Sequence, residues 1–344
     1  MRAYIYDGRG GAAFGDKPDP VISSPRDAIV RVTMSSICAS DLHIIRGAVP
    51  RAKAGITLGH EFVGVVEQTG SGVTHVRPGD RVAVNVETYC GECFFCRRGY
   101  VNNCVSPDGG WALGCRIDGA QTERVRVPFA DTGLTKIPDN VTDKQALLTG
   151  DVLATGYWSA DIADIREGDT ALVIGGGPVG ICAAVCARLR SPARVVLCEA
   201  DERRRDFARK EYPSLVVVSP ADAEKAVNEM SAHGGADAVI EAAGTDESFA
   251  LAWKCARPNA VVVIAAMYER AISLPLPDMY GKNLIFKTGG VDGCYCGKEL
   301  DLISRGMIDV SPLITHTFPF SRLEEAYALF GSRSDGVMKV GIVM

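Results

Sequence analysis

The stretch from 168 to 199, "GDTALVIGGGPVGICAAVCARLRSPARVVLCE", restricts the fold of this 344-residue chain more than any other segment. "TALVI" is a short continuous apolar run, as expected of a buried parallel strand. Gly175, Gly177 and Gly180 follow in G-x-G-x-x-G spacing, and "ICAAVCARLR" supplies small and apolar residues suited to a helix packed on a sheet. "RVVLC" reads as a second buried strand and ends at Glu199, nineteen positions after Gly180. Strand, glycine turn, helix, strand and terminal acid together make the dinucleotide-binding fingerprint of a Rossmann fold. The first glycine permits the tight turn, the second lets a pyrophosphate approach the backbone, and the third lets helix meet strand. Free N–H groups and a partial positive charge at the helix start suit the phosphates. Further strands are expected at 214–219, 236–244 and 260–267, with helices over 222–233 and 246–257 between them. Right-handed crossovers would put helices on both faces of a doubly wound parallel sheet.

Glu199 is placed to accept hydrogen bonds from adenosine ribose hydroxyls. Its charge, with that of Asp201, would repel a 2′-phosphate, so NAD is favoured over NADP. Against this stands "RRR" at 203–205, which is able to hold a phosphate unless it lies on the solvated face of the next helix.

A second feature is "YCGECFFCRRGYVNNC", with Cys90, Cys93, Cys96 and Cys104. Two overlapping C-x-x-C turns bring three sulfurs to one point, and a short loop returns the fourth. Zn²⁺ takes four thiolates in a tetrahedron, and four protein ligands make such a site structural. Unrelated buried cysteines, a redox pair or a zinc-ribbon nucleic-acid module are the alternatives. The net charge of -5 and the absence of a basic helix nearby disfavour the last. That charge also gives no general attraction to nucleic acid or anionic membrane. The N-terminus carries no run fit for a signal peptide, and no apolar run is long enough to span a bilayer. The expected location is the cytoplasm. There, clustered cysteines more often mean metal or catalysis than disulfides. The length implies two domains.

Other candidate ligands are scattered. "ICASDLH" carries Cys38, Ser40, Asp41 and His43, "LGHEFVG" carries His60 and Glu61, and "LLTGDVLATG" carries Asp151. With "VRPGDRVAV", the four-cysteine lobe and "GGGPVG", these segments resemble the zinc-dependent medium-chain dehydrogenase/reductase family, in its order and over nearly the whole chain. The acidic Asp151 is similar to the secondary-alcohol and polyol branch. The resemblance implies a catalytic Zn²⁺ on Cys38, His60 and Asp151, with Glu61 as an exchangeable fourth ligand, so two zinc ions per chain. It also implies Ser40 at the substrate oxygen and His43 as an outward proton relay. Substrate-lining positions would be Val86, Trp111 and Tyr268. Cofactor contacts are expected at Thr155, Pro178, Val179, Arg204, Ala266 and Gly290, beside the three glycines and Glu199. "GCYC" at 293–296 places Cys294 and Cys296 either at the cleft or among buried thiols. Arg124 stands where an aromatic is frequent.

The expected fold class is α/β. A GroES-like, β-rich catalytic domain would span 1–152 with the metal lobe at 90–104, a Rossmann domain 153–288, and a return to the first domain 289–344. The cleft between the domains would hold zinc and nicotinamide. The expected reaction is reversible hydride transfer between a secondary alcohol or polyol and NAD, giving the ketone. Same-mechanism alternatives are sugar-acid, amino-alcohol and formaldehyde-type dehydrogenases. A non-catalytic dinucleotide sensor is the alternative of another class. A homodimer or homotetramer is expected, formed across the last Rossmann strands.

Overall fold

The structure, a computed structural model, describes all 344 residues, and they fall into two compact units. One unit comprises Met1–Ala154 with Asp292–Met344; the other is Thr155–Val291. The unit boundaries thus fall two or three residues beyond the expected positions at 152 and 288.

The Thr155–Val291 unit is built on six parallel strands. Their spatial order is Val216–Val218, Arg194–Cys198, Thr170–Ile174, Ala236–Glu241, Ala256–Ile264 and Ile285–Thr288. The chain starts in the middle, winds to one edge, then returns and winds to the other, which is the doubly wound order. All five residues of Thr170–Ile174 are buried, because helices cover both faces of a parallel sheet. Leu172, Val196, Val239 and Val262 form the centre of that core. The helix Pro178–Arg188 buries Ile181, Ala183, Ala184 and Ala187. The strand expected at 236–244 stops at Glu241. The cause is local: the buried Glu241 carboxylate accepts the N–H groups of Ala243 and Gly244, at 2.7 and 2.8 Å, and turns the chain.

The other unit carries a seven-stranded sheet. Ile314–Pro319, Lys339–Val343, Ala28–Ile37, Phe62–Thr69, Arg81–Val84 and Leu134–Lys136 lie side by side, and Arg124–Val127 also pairs with Ala28–Ile37. Alternating residues such as Val30, Val32, Phe62, Val82, Val84 and Val125 fill its core. The C-terminal strand joins this sheet antiparallel, with Val340 opposite Ile37, and so brings the chain end back to the first domain. Arg124 pairs with Glu67 at 2.8 Å across the strands. This is a cross-strand ion pair.

Candidate metal centres and dinucleotide loop

Three separate segments converge in the first unit. Cys38 ends the long strand and caps the helix Ala39–Ile45; the Asp41 carboxylate accepts its backbone N–H at 2.9 Å. His60 lies just before the strand Phe62–Thr69, in a segment tied to the first by the Ser36 N–H donating to Glu61 O at 3.0 Å. Asp151 follows Gly150, whose carbonyl accepts the Val86 N–H at 2.9 Å. A Cβ at Gly150 would stand 1.9 Å from Val84 O, so only glycine allows the approach that delivers Asp151.

Ligand atoms of Cys38, His60 and Asp151 gather within 4.8 Å of one another. His60 Nε2 is 3.3 Å, and Cys38 Sγ 3.7 Å, from Asp151 Oδ2. At ordinary zinc bond lengths a tetrahedral ion sets its nitrogen and oxygen ligands about 3.4 Å apart, and sulfur and oxygen about 3.6 Å apart. The donor set therefore fits Zn²⁺ with one corner open. The charges agree. Burial by itself would depress the His60 imidazole, but Asp41, Asp151 and Cys38 outweigh it and raise the group well above its ordinary range. A dication is the natural replacement for that attracted proton. Asp41 Oδ1 lies 3.2 Å from His60 Nδ1, an ion-pair distance whose alignment falls short of a hydrogen bond. Asp41 therefore supports a ligand from behind.

Ser40 Oγ is 3.5 Å from Cys38 Sγ. Ser40 and His43 both lie on the helix Ala39–Ile45; the capping role falls to Cys38 and Asp41 rather than Ser40. Glu61 stands apart from the ligand group. One of its carboxylate oxygens is held by the Lys339 ammonium and the Ser36 hydroxyl, and the other is buried without a partner. Lys339 also donates to Ile37 O at 3.0 Å. Burial would push the Lys339 ammonium down, but Cys38, Glu61 and Asp151 hold it above its ordinary range. No sequence signal connects Lys339 with Glu61, since the two are 278 residues apart.

The lobe sulfurs also gather within 4.8 Å. Cys93 Sγ lies 3.4 Å, and Cys90 Sγ 3.9 Å, from Cys96 Sγ. Four sulfurs around Zn²⁺ sit about 3.8 Å apart. Backbone N–H groups point at the sulfurs: Cys93 N–H at Cys90 Sγ (3.4 Å), Cys96 N–H at Cys93 Sγ (3.5 Å) and Cys90 N–H at Cys104 Sγ (3.4 Å). Such donors favour thiolate, and those from Cys96 and Val105 lower the Cys93 thiol to about 6.

In the second unit Gly175 has φ +101°, and a Cβ at Gly180 would meet Gly175 O at 1.7 Å. Gly177 faces open space, its nearest neighbour being the Arg204 guanidinium at 3.8 Å from a Cβ position. Pro178 opens the helix, followed by Val179. An anion would thus meet helix N–H groups on one side and Arg204 on the other. Glu199 Oε2 accepts the Gly176 N–H at 2.6 Å, and Oε1 the Asp201 N–H at 2.7 Å. Each oxygen keeps a lone pair for a further donor. Arg205 turns instead to the carbonyls of Glu199 and Ala200. Thr155 lies in the helix Val152–Ile162. Ala266 packs near Gly244, and Gly290 is exposed.

Of the expected wall residues, Trp111 meets the His60 ring edge-on at 5.5 Å between centroids, and Val86 is buried beside Gly150. Tyr268 has other company. Its hydroxyl donates to Glu241 at 2.7 Å and its ring packs against the Phe249–Trp253–Met279 cluster, which is a packing role inside the second unit. Cys296 is buried at the start of the helix Cys296–Ser304 and points at Thr149 O at 3.4 Å; Cys294 points at Thr132 O at 3.7 Å.

Two family models match the chain: the alcohol dehydrogenase GroES-like domain over residues 24–139 and the zinc-binding dehydrogenase domain over 178–309. An alcohol dehydrogenase of Cupriavidus necator is 34% identical, over 99% of this chain and 98% of its own. The NADP-dependent isopropanol dehydrogenase of Thermoanaerobacter brockii is 30% identical, over 99% of each. The solved structure of zinc-dependent alcohol dehydrogenase 2 from Streptococcus pneumonia superposes with a TM-score of 0.91 at 34% identity, covering 100% of this chain and 98% of that one.

With a GroES-like unit, a Rossmann-like unit and a Cys–His–Asp ligand group, this is a zinc-type alcohol oxidoreductase. The chain belongs to the zinc-dependent medium-chain dehydrogenase/reductase family.

Proposed function

We propose that the protein oxidises a secondary alcohol or polyol to the ketone, reversibly, with NAD. The observation that carries this reading is the buried Cys38–His60–Asp151 group with the Ser40 hydroxyl beside it. When bound there, Zn²⁺ would supply Lewis acidity to an alcohol or carbonyl oxygen, and the nicotinamide the hydride acceptor or donor. Ser40 accepts the proton of the substrate hydroxyl as it gives up its own, and His43, on the same helix, carries the released proton outward. Asp41 holds His60 in place, and Lys339 keeps Glu61 from adding an uncompensated negative charge. The cysteine lobe holds a second, structural Zn²⁺.

NAD rather than NADP is supported by Glu199, whose carboxylate sits against the glycine loop and disfavours a further anion. Cysteines grouped as metal ligands rather than paired as disulfides support a cytoplasmic setting. No helix is long and apolar enough to cross a membrane. A homodimer or homotetramer through the sheet-edge strand Ile285–Thr288 is supported by the exposed Ile285 and, nearby in sequence, Leu274, Leu276 and Tyr280. Sedimentation of a monomer alone at micromolar concentration would remove that part. The activity is tested by following reduced-nicotinamide absorbance over secondary alcohols, polyols and aldehydes, with NAD and NADP, at full zinc loading. Cofactor binding without turnover of any alcohol or carbonyl would mark a dinucleotide sensor instead.

A further inference from the structure

Among the buried polar atoms around the Cys38–His60–Asp151 group that lack a hydrogen-bond partner are Glu87 Oε2 and Trp111 Nε1; Glu87 is 3% exposed and Trp111 8%. They belong to one small ladder, in which Glu87–Thr88 pairs antiparallel with Gly110–Trp111 and Glu87 stands directly opposite Trp111. Directly opposed residues of an antiparallel pair project from the same face. That face is the one that meets the metal-ligand group, since the Trp111 ring packs edge-on against His60. The Arg51 guanidinium lies over the same indole, 4.9 Å from its centroid. Asp292 is a second acid in the neighbourhood, half-buried and tied to the Asn102 N–H at 3.0 Å.

An acceptor and a donor, both dehydrated and both unmatched, are expensive to keep inside a protein. A simple secondary alcohol has no group left to match them, whereas a second hydroxyl is able both to donate and to accept. We propose that Glu87 and the Trp111 indole N–H form a polar subsite for a second hydroxyl on the substrate, so that the enzyme selects diols and polyols over simple secondary alcohols. This rests on the alcohol-oxidising reading above and narrows its substrate class. Burial, with Asp151 nearby, raises the Glu87 carboxyl to about 8, against the lowering pull of the Arg51 and Arg116 guanidiniums. Sites built around a substrate hydroxyl reject the analogue lacking it far more strongly than apolar pockets reject an extra group.

The test compares kcat/KM for 2,3-butanediol and 2-butanol, using zinc-loaded parent protein and the variants Glu87→Leu, Glu87→Gln and Trp111→Phe. The parent should prefer the diol at least about tenfold, and the preference should fall about tenfold or more in Glu87→Leu and in Trp111→Phe. Glu87→Gln, which keeps hydrogen-bonding capacity, should lose less than Glu87→Leu. A diol-to-monool ratio that is unmoved in all three variants overturns the subsite. So does a lowered unfolding temperature of Glu87→Leu with that ratio unchanged, which would make the carboxyl structural. Preference of the parent for 3-amino-2-butanol over the diol would overturn the hydroxyl assignment in favour of an ammonium. Turnover of 2-butanol with an unmoved ratio defeats this inference alone. Turnover of no alcohol defeats the reading beneath it as well.

Discussion

Lys339→Met isolates the energetics of the buried ion pair behind the metal centre. Lys339 and Glu61 side chains are 2% and 0% exposed, and the carboxylate also takes the Ser36 hydroxyl. Methionine fills much of the lysine volume but removes the charge, leaving Glu61 dehydrated beside Asp151. Breaking a buried pair from one side typically costs about 3–5 kcal/mol, because the survivor cannot regain its water. In a unit of this size that is a fall of roughly 6–20 °C in unfolding temperature. Differential scanning calorimetry of the zinc-loaded protein measures it. Glu61→Gln alone should cost a comparable amount by stranding the ammonium. The double variant Lys339→Met/Glu61→Gln should recover most of the loss, since neither charge then remains. A single variant melting within about 2 °C of the parent, or a double variant no better than the singles, would refute the reasoning.

Cys93→Ser should reduce bound zinc by one equivalent per chain and lower the unfolding temperature; unchanged metal content by elemental analysis counts against the lobe as a metal site. Asp41→Asn should weaken zinc at the Cys38–His60–Asp151 group about 10–100-fold, by loss of support behind His60, as read by competition with a chromophoric chelator. Gly180→Ala should abolish dinucleotide binding, because its methyl would stand 1.7 Å from Gly175 O; calorimetric titration with NADH showing parent affinity would contradict this. The Glu87 carboxyl, raised from 4.5 to about 8 by burial, binds a proton in the folded state that the unfolded chain has released. Its contribution therefore erodes stability as pH rises from about 4.5 to about 8. Glu87→Gln should flatten that part of the stability profile, and parallel parent and variant curves in denaturant titrations would show that the carboxyl titrates normally.

Much of the second unit was legible because its signals are local. The strand 170–174, the glycine turn, the helix and the strand 194–198 occupy one contiguous stretch, and each is specified by its own residues. The lobe is local too, with four sulfurs inside fifteen residues. Strand ends were less legible. The run at 236–244 reads as one strand, but the Glu241 carboxylate within it captures two backbone N–H groups and stops it early. The family resemblance implies a substrate-lining place for Tyr268, and its observed neighbours are Glu241 and an apolar cluster. Nothing in an aromatic residue's identity distinguishes the two settings.

The sequence by itself determined the two-unit plan, the glycine turn and the kinds of atoms offered to metal, because spacing along the chain constrains those directly. Only the tertiary structure decided which distant side chains meet. It set Asp41 behind His60 and Lys339 against Glu61, and it put Glu87 on the same face as Trp111. These pairings arise from strand register and close packing, which couple residues by their place in space and leave no trace in the order of the letters.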